Sequence, residues 1–132
     1  MSLRILLVED HPDGAESCAL WLGMLGHRVH VAGSCAAAVA VAGSFAPDVA
    51  ILDIGLPDGD GYQLADKLVA GLARRPLMVA LTGYGNGEER ARAAGFDHYL
   101  LKPAEPAVLA AVLARHAPGG SDGQEGDGRS GK

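Results

Sequence analysis

Short apolar runs recur along this chain, separated by longer stretches in which apolar residues return at helical spacing. Leu3 to Val8, Arg28 to Ala32, a run closing on Val49-Ala50-Ile51-Leu52, Leu77 to Leu81 and His98 to Leu101 read as strands. Between them, Pro12 to Leu25 reads as a helix with Ala15, Ala19 and Leu22 inward, and Gly26 closes it in the left-handed conformation. Ser34 is placed to cap an Ala-rich helix running toward Ser44. Leu64, Ala65, Leu68 and Leu72 share one face of the next helix. Asn86 to Ala94, ending at Gly95, forms a polar helix, and Glu105 to His116 a last one with Val108, Leu109, Val112 and Leu113 inward. The segment Gly55-Leu56-Pro57-Asp58-Gly59-Asp60-Gly61 is dense in turn formers and reads as a loop.

Five such alternations predict an α/β domain, a doubly wound five-stranded parallel sheet joined by right-handed crossovers. Strands that are apolar throughout belong to a sheet buried on both faces. Ligands of such sheets bind beyond the carboxyl ends of the strands. Four runs are followed there by a polar residue: Asp10, Asp53, Thr82 and Lys102.

Composition narrows the picture without redirecting it. The 132 residues, 48% hydrophobic and 20% charged, suit one soluble domain with a real core. A net charge of -5 argues against nucleic acid or an anionic membrane as the main partner. No run is long enough to span a bilayer, and Met1-Ser2-Leu3-Arg4 enters the first strand without room for a signal peptide. Cys18 and Cys35 lack metal-ligand spacing and read as free thiols of a cytoplasmic protein. Residues 1–117 form the expected domain, and 118–132, rich in Gly, Ser and Asp, a disordered tail or linker stub.

The chemistry lies in the polar strand ends. Glu9 and Asp10, brought near Asp53, make a site of oxygen ligands suited to Mg²⁺. The plainer alternative has Asp10 capping the next helix, Glu9 solvated and Asp53 opening an Asp-rich turn. Asp48, Asp58 and Asp60 fit turn chemistry better than Asp53, which follows four apolar residues and is held by the sheet. A fixed carboxylate beside a cation suits nucleophilic phosphoryl acceptance. Lys102 faces this cluster and pairs with Asp53 at rest and with phosphate after transfer. Thr82 offers a hydroxyl to an anionic oxygen.

Taken in order, Ile5-Leu6-Leu7-Val8-Glu9-Asp10, Asp53-Ile54-Gly55-Leu56-Pro57-Asp58-Gly59-Asp60-Gly61, Leu81-Thr82-Gly83-Tyr84 and Lys102-Pro103 resemble the response-regulator receiver domain of two-component signalling, over roughly Leu3 to His116. The resemblance implies a flavodoxin-like (βα)5 receiver fold with Asp53 as phosphoacceptor. It implies Glu9, Asp10, Asp53 and the main-chain carbonyl of Gly55 as Mg²⁺ ligands, with Lys102 contacting phosphate. Thr82 and Tyr99 become the switch pair, and the Lys102-Pro103 bond is expected to be cis. The donor would be a histidine kinase or a histidine phosphotransfer protein. The output or dimer face would be the fourth helix, fifth strand and fifth helix, around Glu88 to Arg92, Tyr99 and Glu105 to Ala111. Such a domain catalyses its own phosphorylation and dephosphorylation without being a conventional enzyme, and needs no direct contact with nucleic acid or membrane.

The chain departs from the family pattern in places. Glu9 stands where aspartate is also common, and Gly55 where many relatives carry a polar side chain. Gly55 and Tyr84 are expected to set phosphoryl lifetime together, one admitting water and the other shielding. Gly55 and the Leu-Thr-Gly-Tyr stretch make the chain similar to receivers of hybrid kinases. A pseudo-receiver would lack some of these residues. A haloacid-dehalogenase phosphatase would need aspartate at position 55, and a flavodoxin-like cofactor binder a hydroxyl-rich loop after the first strand. His11 neighbours the acidic pair but reads as a surface residue before Pro12. His27, His30, His98 and His116 show no ligand spacing, and Gly83, Gly85 and Gly87 lack a dinucleotide-binding register. Trp21 reads as surface helix packing and Arg74-Arg75 as a solvated helix end.

Overall fold

A computed structural model describes residues 2–83 and 87–115. Its elements follow the expected alternation: β1 (Arg4–Val8), α1 (Pro12–Met24), β2 (Arg28–Ala32), α2 (Cys35–Phe45), β3 (Val49–Asp53), α3 (Gly61–Gly71), β4 (Leu77–Thr82), α4 (Glu88–Ala93), β5 (His98–Leu101) and α5 (Pro106–Arg115). The strands form one parallel sheet in the order β2-β1-β3-β4-β5. Chain order reverses at β1, so the carboxyl ends of β1 and β3 flank the crevice where such sheets hold ligands.

Apolar runs are continuous here because both faces of the sheet are covered. Leu6, Val8, Ala50, Leu52, Met78 and Ala80 pack on one side with α2, α3 and α4 residues such as Ala38, Leu64, Leu68 and Ala91. Ile5, Leu7, Val49, Ile51, Val79 and Leu81 pack on the other with Leu22, Leu109, Val112 and Leu113. All five residues of β3 are buried, and Val49 to Leu52 alternate between the two layers. Among the described residues no helix is long and apolar enough to cross a membrane.

Local signals explain several helix ends. Ser34 Oγ accepts from the Ala37 amide at 3.1 Å and caps α2. Gly26 and Gly95 both sit at φ 96° after α1 and α4, a backbone region open to glycine. Several expectations need correction. Leu25 is the C-cap of α1 and not its last helical residue. Val108 is 43% exposed, because α5 buries Leu109, Val112 and Leu113 and Val108 lies at the rim of that stripe. The segment 55–61 contains a two-residue antiparallel ladder, Gly55–Leu56 against Gly59–Asp60. Arg75 is no free helix end: it pairs with Asp97 at 3.0 Å, while Arg74 reaches Asp48 at 3.2 Å. Asn86, His116 and the tail from 118 lie outside the described residues, but Gly87 is the non-helical N-cap, so α4 starts at Glu88 and not at Asn86.

His27 is a buried acceptor. It is 8% exposed, and its Nδ1 accepts from the Leu3 amide at 3.1 Å. Burial, aided by the positive amino terminus, holds its pKa below the usual 6.5. The unfolded chain therefore takes up the proton first, and stability falls as pH drops below 6.5 toward the folded value. In urea titrations from about pH 7.5 to about pH 5.5, His27→Gln is expected to lose less stability than wild type. Parallel losses in both proteins would refute the role.

Candidate functional site at the carboxyl edge of the sheet

Asp53 is the last residue of β3, paired in register with Leu81 of β4, and it is 4% exposed. A carboxylate this deep cannot turn to solvent, so its partners define it. Its Oδ2 accepts from Lys102 Nζ at 2.6 Å, and its Oδ1 from the Gly55 amide at 3.1 Å. Lys102 also reaches Glu9 Oε1 at 2.9 Å, so one ammonium ties the ends of β1, β3 and β5. The Lys102 amide donates to the Thr82 carbonyl at 2.8 Å, which fixes where the side chain starts. The Lys102-Pro103 bond is cis, as expected.

Glu9 is buried, and its Oε2 accepts from the His11 amide at 3.1 Å. His11 Nδ1 lies 3.2 Å from the same oxygen and 3.3 Å from Asp10 Oδ1. The capping alternative for Asp10 fails: α1 starts from His11 with no side-chain cap. Asp10 Oδ1 is buried and accepts no hydrogen bond. Ligand atoms of Glu9, Asp10, His11 and Asp53 all lie within 4.8 Å of one another. Three carboxylates against one ammonium, with one buried oxygen that accepts no hydrogen bond, form a donor set that could hold a hard divalent cation, and Mg²⁺ fits it.

Titration follows from these contacts. Burial would raise Glu9, but the bonds from Lys102 and His11 outweigh it and hold Glu9 at about 2. Asp53 moves upward, through burial first and the nearness of Glu9, against the pull of Lys102. Burial alone would lower Lys102, yet its two carboxylate partners raise it, and it stays charged.

Thr82 ends β4, 5% exposed, beside this cluster. Tyr99 lies one strand over, half-buried, its hydroxyl accepting from the Gly87 amide at 3.2 Å. The two residues thus lie on neighbouring strands, with Tyr99 joined to the start of α4. Tyr84, paired with Gly55 in the sequence argument, lies outside the described residues. Gly55 itself is exposed, with open space where a side chain would stand.

Two residues escaped the sequence argument as parts of the site. A Cβ on Gly61 would stand 2.8 Å from the Asp53 carbonyl oxygen and 3.0 Å from Ile54 Cα, so only glycine lets α3 start this close to the acceptor. Asp58, assigned to a simple turn, instead bonds the amides of Cys35 and Ala36. Nothing in a Pro-Asp-Gly-Asp-Gly string tells a turn aspartate from one that reaches another helix.

Comparison with known proteins agrees with this geometry. The model of the response regulator receiver domain matches residues 5–114. The chain is 33% identical over 130 residues to the response regulator protein FleR of Pseudomonas aeruginosa, covering 97% of this chain and 27% of FleR. It is 37% identical over 111 residues to the virulence sensor protein BvgS of Bordetella bronchiseptica, covering 78% of this chain and 9% of BvgS. The chain thus spans a minor part of these relatives. Among solved structures, a CheY-like receiver domain from Methylobacillus flagellatus superposes with a TM-score of 0.82 at 29% identity, covering 89% of this chain and all of the other.

Proposed function

This chain belongs to the response regulator receiver domain family, and we propose that it accepts a phosphoryl group on Asp53 from a phosphohistidine donor, with Mg²⁺ bound at Glu9, Asp10, Asp53 and the Gly55 carbonyl. The observation that carries this is the Lys102 ammonium, 2.6 Å from Asp53 and 2.9 Å from Glu9 in a cluster of three carboxylates. The Asp53 carboxylate attacks phosphorus, a P–O bond forms, the P–N bond breaks, and the donor imidazole leaves with its electron pair. Mg²⁺, when bound, offsets the charge of the phosphoryl oxygens and the carboxylates. Lys102 stays within reach of Asp53 and pairs with the new phosphate. Gly55 holds the acceptor through its amide, and the buried edge of the sheet keeps the carboxylate in one orientation.

The donor is a histidine kinase or a histidine phosphotransfer protein in the cytoplasm, and the chain, no conventional enzyme, supplies the catalysis of its own phosphorylation and hydrolysis. Phosphate engages Thr82, and Tyr99 passes the change to α4, β5 and α5, the face offered to an output partner or a second copy. The Tyr99 hydroxyl already bonds the residue that precedes α4, which supports this route. The test is intact-mass analysis after incubation with acetyl phosphate. A single labile adduct that needs Mg²⁺ and maps to Asp53 is expected. An adduct elsewhere, or one that forms equally well in chelator, would refute the assignment.

A further inference from the structure

The segment after Asp53 is a small hairpin anchored at both ends. At its base, the Gly55 amide donates to Asp53 Oδ1 at 3.1 Å and the Gly61 amide donates to the Ile54 carbonyl at 2.9 Å. Its two-residue ladder pairs Gly55 with Asp60 and Leu56 with Gly59, leaving Pro57 and Asp58 at the tip. That tip lies against α2. Asp58 Oδ1 accepts from the Cys35 amide at 2.8 Å, and Oδ2 from the Ala36 amide at 3.0 Å. A Cβ on Gly59 would stand 3.2 Å from Cys35 Sγ, so the tip and the first turn of α2 are in close contact. A turn aspartate bonds its own turn. Asp58 instead spends both oxygens on a helix more than twenty residues earlier in the chain.

We propose that Asp58 is a positioning residue for the metal site: by clamping the hairpin tip to the N-terminus of α2, it holds the Gly55 carbonyl where Mg²⁺ is bound. The inference rests on the proposed Mg²⁺ chemistry and adds a remote determinant of its affinity. Three physical facts favour it. Gly55 has no side chain and open space where a Cβ would stand, so side-chain packing does not fix it. The ladder is only two residues long on each side, too short to be stable without outside anchors. The amides that Asp58 binds are free donors at the positive end of a helix, which suits a carboxylate. Those two bonds also keep the Asp58 carboxyl below the usual range, so the clamp stays ionised at neutral pH.

α2 carries an internal control. Its other cap, Ser34, precedes the helix and its side chain bonds the helix's own Ala37 amide at 3.1 Å instead of a hairpin residue. Losing either cap weakens α2, but only the loss of Asp58 frees the hairpin. Mg²⁺ affinity is to be measured by calorimetric titration on wild type, Ser34→Ala, Asp58→Ala and Asp58→Asn, with circular dichroism confirming the fold. Outer partners of metal ligands are worth roughly 10- to 100-fold in affinity, so Asp58→Ala is expected to bind Mg²⁺ about tenfold more weakly. Asp58→Asn, which keeps an acceptor for one amide, is expected to fall between, and carries the test if the alanine variant does not fold. Ser34→Ala is expected to bind as wild type does. Equal affinities in the Asp58 and Ser34 variants would overturn the positioning role while leaving the metal site intact. No Mg²⁺ binding by wild type would overturn the metal site itself, and this inference with it.

Discussion

Replacing Asp53 with asparagine is expected to abolish phosphorylation and to make the protein more stable. The first half follows from the loss of the nucleophilic carboxylate. The second comes from opposed terms. Asp53 is drawn to Lys102 at 2.6 Å, worth about 6 kcal/mol at an effective dielectric of about 20. It is repelled by Glu9 and Asp10, whose ligand atoms lie within 4.8 Å, each worth about 3.5 kcal/mol on the same basis. Those terms nearly cancel, so the penalty for burying the charge decides the sign. Burial is the leading cause of the upward shift of Asp53. A carboxyl raised in the folded state contributes stability below its unfolded pKa of 3.8 and loses it as pH rises through the folded value. Asparagine escapes that loss, and a gain of about 1 kcal/mol is expected at neutral pH, shrinking toward about pH 3. Urea unfolding at both pH values measures it. A less stable variant at pH 7 would show that the Lys102 bond outweighs burial and repulsion together.

Lys102→Met is expected to act in the opposite direction on stability and the same direction on function. The apolar stem is replaced closely in length, so packing changes little and the lost charge dominates. Glu9 and Asp53 then face each other, with Asp10 beside them, without a cation. Removing one member of a buried pair destabilises by about 3–5 kcal/mol. Lys102 keeps 26% of its side chain in solvent, so about 3 kcal/mol is expected. The pH dependence has a defined sign. Glu9, held at about 2 against an ordinary 4.5, contributes stability that is present above 4.5 and lost as pH falls toward 2. The variant lacks the Lys102 share of that contribution, so its deficit is full at pH 7 and closes in acid. Phosphorylation from acetyl phosphate is expected to slow roughly a hundredfold, the scale for losing one preorganised electrostatic partner. A variant as stable as wild type at pH 7 would mean that solvent and Mg²⁺ replace the ammonium fully.

The parallel sheet was legible because burial on both faces leaves strands such as Val49–Asp53 with no polar position until the end. For the same reason the polar residue that follows each strand stood out, and Asp53, Lys102, Glu9 and Asp10 meet as the pattern implied. Cap chemistry was legible where it is local, as at Ser34 and Gly26. It was illegible where a partner comes from far along the chain. Asp58 and His27 both serve backbone amides more than twenty residues away, and a sequence does not display such pairings. Helix closure by a left-handed alanine, Ala46 at φ 51°, also lacks the glycine that would announce it. Val108 was misplaced because neighbouring apolar residues on α5 differ by a fraction of a turn, finer than periodicity resolves.

α4 differs from every other element in how it is held. It has six residues, a single buried side chain in Ala91, and no side-chain cap at Gly87. Among the described residues its side-chain fastenings include the Tyr99 hydroxyl on the Gly87 amide and the Arg90 guanidinium 4.2 Å from the centre of the Tyr62 ring. Each is worth about 1 kcal/mol. β3, by contrast, cannot tilt without opening the packing on both sides of the sheet. A chemical event at Asp53 of only a few kcal/mol is therefore expected to shift α4 before it shifts β3. On the proposed phosphorylation of Asp53, the rigid centre would act as a filter, sparing the strands and passing the disturbance to α4, the most weakly moored helix among the described residues.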